Sequence, residues 1–114
     1  MKKTNEIAKL VLLNALVAFD GKTPLLAAGP VTKQPSTRPY RVVLIDRGDK
    51  FSVHTEYLND ANADLSQPIT CGSFFESGDY YFPDQLPAAY ARFGQRVSNQ
   101  ASYAETVYRL VDAA

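Results

Sequence analysis

The sequence predicts an α+β fold: an N-terminal helix, an antiparallel sheet of three to four strands in two hairpins, and two C-terminal helices packed on one face. Three observations carry this expectation. Apolar residues recur at helical spacing at both ends of the chain, β-branched or alternating runs fill its middle, and short Gly- and Asp-containing segments separate those runs. At 114 residues the chain is read as a single domain, 1–114, large enough to bury a core without covalent staples.

The first helix is expected over Thr4–Phe19. Thr4 or Asn5 offers a cap, Ile7, Leu10, Val11, Leu13 and Val17 recur at helical spacing, and Asp20-Gly21 with Pro24 beyond gives an exit. Lys2-Lys3 ahead of an apolar stretch, with Leu26-Ala27-Ala28 after it, also resembles a bacterial signal peptide over residues 1–28. Glu6, Lys9 and Asn14 interrupt the uncharged run that such a peptide needs, which favours the helix and a cytoplasmic location. Nothing approaches the roughly 18 consecutive apolar residues of a membrane span, so no membrane partner is expected.

Residues 20–39 contain Gly21, Pro24, Gly29, Pro30, Pro35 and Pro39. Proline lacks an N–H and fixes φ, so this stretch reads as a long Pro/Gly-rich surface loop, with Leu25–Ala28 docking as one turn of helix. Tyr40–Ile45 follows as a β-branched buried strand, and Arg47-Gly48-Asp49 turns the chain into Phe51–Tyr57. In that second strand Phe51, Val53, Thr55 and Tyr57 fall on one face, and Ser52, His54 and Glu56 on the other. Ile69–Phe75 and Tyr80–Phe82 flank Glu76-Ser77-Gly78-Asp79 and read as a second hairpin. Asp84 then caps a helix whose apolar positions are Leu86, Ala89, Tyr90, Phe93 and Val97; Ser98-Asn99 breaks it, and Ser102 with Glu105 boxes the start of a terminal helix.

Charge is distributed unevenly beneath a net charge of zero. Residues 1–50 carry nine Lys/Arg and four acids, a net of +5, whereas residues 51–91 carry six acids and no Lys or Arg. Eight of the thirteen aromatics lie in that acidic stretch, which on its own would repel phosphates and argues against nucleic acid as a partner. The single Cys excludes an internal disulfide and a cysteine-based zinc site.

Catalytic signatures are sparse, and no catalytic residue is assigned. His54 and Cys71 are the only imidazole and thiol, and a nucleophile pair would need them within hydrogen-bond reach, with Glu56 or Asp79 orienting the ring. Alone, a Cys in an apolar strand reads as a small hydrophobe and a His on a polar strand face as a solvated side chain. One His with scattered carboxylates lacks the clustered spacing of a metal site, and no phosphate-binding glycine loop or serine-hydrolase elbow is present, so no cofactor is expected. Glu76 and Asp79 read as turn residues. Arg47-Gly48-Asp49 matches the adhesion tripeptide but reads as a hairpin turn.

The aromatic cluster is the sharper feature. Phe74, Phe75, Tyr80, Tyr81 and Phe82 divide between the two faces of a sheet, and any set left exposed would mark a contact surface. Gly78-Asp79-Tyr80-Tyr81-Phe82, followed by Leu86, Ala89, Phe93 and Arg96 at helical spacing, resembles the Gly-x-Tyr-Phe strand and amphipathic helix of small uncharacterised bacterial proteins, including some carried on integron mobile gene cassettes. The resemblance spans about a fifth of the chain. It implies a compact α+β protein, often dimeric, with no assigned activity. The expectation is therefore a small non-enzymatic module that self-associates as a homo-oligomer, a dimer. The alternative is a domain binding a cationic or amphipathic small molecule among Glu56, Tyr57, Phe75 and Tyr80, and a further one is a hydrolase using His54, Cys71 and carboxylates.

Overall fold

β2 (Tyr40–Asp46) and β3 (Phe51–Leu58) form the centre of the sheet, joined by the turn that Gly48 makes at φ +83°. Their register pairs Val42 with Thr55, Val43 with His54 and Leu44 with Val53. The computed structural model describes residues 17–34 and 37–113, and the side chains of its final helix as far as Gln100. Within it β1 (Leu25–Ala28), β2, β3 and β4 (Ser73–Tyr81) form a four-stranded antiparallel meander in the order β1-β2-β3-β4. A 3-10 turn, Pro83–Gln85, leads into one long helix, α1 (Leu86–Ala113). The α+β class and the antiparallel sheet are as expected.

Several details differ from the expectation, each for a local reason. The expected N-terminal helix lies outside the described residues except at its end. There Val17 bridges Pro24 in an antiparallel pair and the Ala18 N–H bonds the Thr23 carbonyl at 2.9 Å, so Val17–Phe19 is not helical. Leu25–Ala28 is a strand and not a helical turn, because Leu25, Ala27 and Ala28 find partners in Ile45, Leu44 and Val43. A single C-terminal helix replaces the expected two and runs through Ser98-Asn99. Gln100 anchors it beyond that point, its Nε2 donating to the Pro30 carbonyl at 3.1 Å and to Thr32 Oγ1 at 2.5 Å.

The expected second hairpin is a continuous strand with a bulge. Thr55 pairs with Glu76 and Val53 with Asp79, so two steps along β3 face three along β4, and the extra residue falls at Ser77-Gly78. Ser77 takes a positive φ of 58°. Glycine and positive φ serve a bulge as readily as a turn, and β3 is long enough to pair with both halves of β4. The consequence is a change of phase: Phe75 and Tyr80, an odd number apart, share one face, opposite Glu56 and Ser52 respectively.

Both faces of the sheet are covered. On one, Leu86, Ala89, Phe93 and Val97 of α1 pack on Val42, Leu44 and Val53. Tyr90, expected among the buried positions, is exposed. On the other, Ala18, Leu25, Val43 and Ile45 form a second cluster with Ala28 and Phe75. His54, expected to be solvated, is therefore buried, and so are Ser52 and Glu56 on the same face.

Candidate functional site

The structure does not gather the four residues expected to bind a ligand. Glu56, Phe75 and Tyr80 lie on the face away from α1, whereas Tyr57 lies on the helix side, stacked on Phe74 at 5.5 Å between ring centroids. Glu56 is fully buried, and both its oxygens are occupied. Oε1 accepts from Arg41 Nε at 2.7 Å, and Oε2 accepts from the Phe19 N–H at 2.7 Å and Ser73 Oγ at 2.6 Å. The Arg41 guanidinium sits 3.8 Å from the centroid of the Phe19 ring, and its Nη2 donates to the Val17 carbonyl. This buried pair ties residues 17–19 and the start of β4 to the sheet, and the carboxylate is not presented to a ligand.

His54 and Cys71 are also apart. Cys71 precedes β4 in the loop after β3 and lines a cleft of about 140 Å³ with Asp60, Asp64 and Thr70. His54 stands four residues up β3 from Leu58, which pairs with Ser73, so the strand rise alone separates the two regions by roughly 13 Å. Among the described residues, no group of three or more His, Cys, Asp or Glu is placed to hold a metal ion, and no helix is long and apolar enough to cross a membrane.

What the structure does assemble is a surface at the Tyr81 end of β4. Among the described residues Tyr80 and Phe82 are the most exposed large apolar side chains, at 57% and 70%, and with Lys50 and Tyr81 they line a cleft of about 60 Å³. The β2–β3 turn brings Arg47 and Lys50 to the Tyr80 ring, with Arg47 Cζ 5.6 Å and Lys50 Nζ 5.4 Å from its centroid. The aromatic that lies in an acidic stretch of sequence therefore has cationic surroundings in space. The charge segregation of the sequence is also met elsewhere within the fold, where Arg41 pairs with Glu56 and Arg92 and Arg96 pair with Asp79.

His54 supports this surface from beneath. Its ring meets Tyr80 edge-on at 5.5 Å and Phe75 at 5.9 Å, and Gly78 leaves the space that the ring fills, since a Cβ there would collide with Cε1. Arg47 Nη2 donates to Nε2 at 3.2 Å, which assigns the imidazole proton to Nδ1, on the side of the Glu76 backbone. Arg47 Nε donates to Ser52 Oγ at 2.7 Å, so the arginine folds back onto the sheet instead of standing out as an adhesion motif would.

Burial first, and the Arg47 charge second, hold the His54 imidazole below the usual histidine value, with Arg96 adding to the effect and the Glu76 backbone and Asp79 opposing it. The unfolded chain, with a histidine near 6.5, then binds the proton more readily than the fold does. The contribution to stability is accordingly complete above about pH 6.5 and falls as pH drops from there toward the lowered folded value. His54 is the sole histidine, so its Cε1 proton gives one NMR signal. That signal is expected to titrate below pH 6.5, and the urea midpoint to fall over the same window in the native chain but not in His54→Phe. A midpoint at or above 6.5 would show that the ring is not held neutral.

Comparison of the chain with protein-family models, curated proteins and solved structures found no match.

Proposed function

We propose that this chain is a small non-enzymatic binding module that self-associates through the Tyr81 end of β4 and the adjoining β2–β3 turn. The observation that carries the reading is the exposure of Tyr80 and Phe82, side by side at one end of β4 and the most exposed large apolar side chains among the described residues. Aromatic side chains are enriched at the centres of protein contacts, where they bury large area at small entropic cost. A two-fold contact sets the same patch against itself, so the patch must be self-complementary. The turn beside these rings, Asp46-Arg47-Gly48-Asp49-Lys50, carries two acids and two bases, which suits that requirement. The resemblance to small bacterial proteins that are often dimeric points the same way.

Gel filtration with light scattering at micromolar concentration is expected to give the mass of a dimer. Phe82→Asp, which places a charge at the most exposed of these rings without touching either core, is expected to give a monomer of unchanged thermal stability. A native chain that stays monomeric over a hundredfold range of concentration, at low and high salt, would remove self-association.

A further inference from the structure

The surroundings of Tyr80 reverse the sign of the ligand that the sequence suggests. We propose that Arg47, Lys50 and Tyr80 form a binding site for an aryl oxyanion, a flat apolar group bearing a phosphate or carboxylate. Arg47 and Lys50 make no ion pair among the described residues, although both stand within 6 Å of one exposed ring. Asp46 and Asp49 share the turn without pairing to either, and Asp46 Oδ1 is taken by the Gly48 N–H at 2.9 Å.

Arg47 is already oriented. Its bonds to Ser52 Oγ and His54 Nε2 anchor it on two buried side chains. Two of its five N–H donors are engaged, which leaves three for an oxyanion. Tyr80 is fixed as well, by the edge-on contact with His54. A ligand therefore meets a cation and a ring whose conformational freedom has largely been lost during folding, and preorganisation of this kind favours binding. Lys50 supplies the second charge from the far end of the turn. Phe82 extends the apolar surface next to Tyr80, and the cleft of about 60 Å³ between them admits part of a ring, not a whole enclosed ligand. The specificity expected is for a flat group and an oxyanion in one molecule, held at the surface.

The test is a set of NMR titrations of the native chain with phenyl phosphate, benzoate, inorganic phosphate and benzyltrimethylammonium. Phenyl phosphate or benzoate is expected to shift the Tyr80 ring protons and the Arg47 Nε–H saturably, and the tighter of the two identifies the headgroup. Lys50→Ala, in an exposed turn where folding is unaffected, is expected to weaken that binding at least fivefold, and Tyr80→Leu similarly. Inorganic phosphate is expected to bind at least tenfold more weakly than phenyl phosphate. No saturable shift with either aryl anion would overturn the proposal, as would benzyltrimethylammonium binding at Tyr80 as tightly, or inorganic phosphate binding as well as its phenyl ester. The titration reads the ring and light scattering reads the mass, so this site and the self-contact stand or fall separately. If both hold, phenyl phosphate lowers the dimer fraction.

Discussion

Replacing Arg41 with methionine is expected to destabilise the fold by about 3–5 kcal/mol, a large part of the stability of a domain this size. The substitution retains much of the side-chain volume and removes the cation that, among the described residues, is bonded to Glu56. Both partners are buried, so the carboxylate left behind faces low dielectric with the Phe19 N–H and Ser73 hydroxyl as its remaining donors. Glu56→Gln is expected to be costly for the converse reason, since it takes the Glu56 charge away from a buried guanidinium. Combining the two removes both charges at once, and the double variant is expected to be more stable than the sum of the single effects predicts by about 2 kcal/mol or more. Urea unfolding of the four chains measures this. If Arg41→Met lies within about 1 kcal/mol of the native chain, the pair does not organise this face.

The Arg41–Glu56 pair also marks the limit of what the sequence conveys. The alternation of Phe51–Tyr57 was enough to place Ser52, His54 and Glu56 on a common face, and Arg41 lies directly across from Glu56 in the register. What no local pattern conveys is that residues 17–19 return to cover that face, which turns a polar strand face into a buried ion pair. β2, β3 and the Gly48 turn were legible because β-branching, alternation and turn chemistry agreed at each position. β1 was not, because Leu-Leu-Ala-Ala between prolines has no strand signature of its own and becomes a strand only through Val43, Leu44 and Ile45. The bulge in β4 uses the residue types of a turn, so the face shared by Phe75 and Tyr80 could not be read from their spacing. The cations beside Tyr80 could not be read from its neighbours in sequence for a related reason: Arg47 and Lys50 lie thirty or more residues earlier and reach the ring only because β4 pairs with β3 beside their turn.

Arg96→Ala is expected to destabilise by about 2–4 kcal/mol, and Arg92→Ala, one turn earlier on the same helix and pairing with the same carboxylate, by less than about 1 kcal/mol. The difference lies in what each arginine satisfies. A bulge frees backbone carbonyls from the ladder, and two of them, Val53 O and Ser77 O, accept from Arg96 Nη1 at 3.0 and 2.7 Å. Nη2 donates to Thr55 Oγ1 at 2.8 Å, and Nη1 also reaches Asp79 Oδ2 at 3.2 Å. The Arg96 side chain is only 12% exposed, so its loss takes a largely buried donor from Val53 O and Thr55 Oγ1, whereas Asp79 keeps Arg92. Arg92, 40% exposed, bonds Asp79 and Gln95 in a solvent-screened pair whose partners water can satisfy. Because Arg96 stitches the bulge to α1, its removal is expected to act locally as well. Hydrogen exchange at Gly78 and Asp79 should accelerate more than exchange along β2. Equal effects for the two arginines, or uniform acceleration across the sheet, would mean that the bulge holds its shape without the helix, and that the shared face of Phe75 and Tyr80 is set by β3 alone.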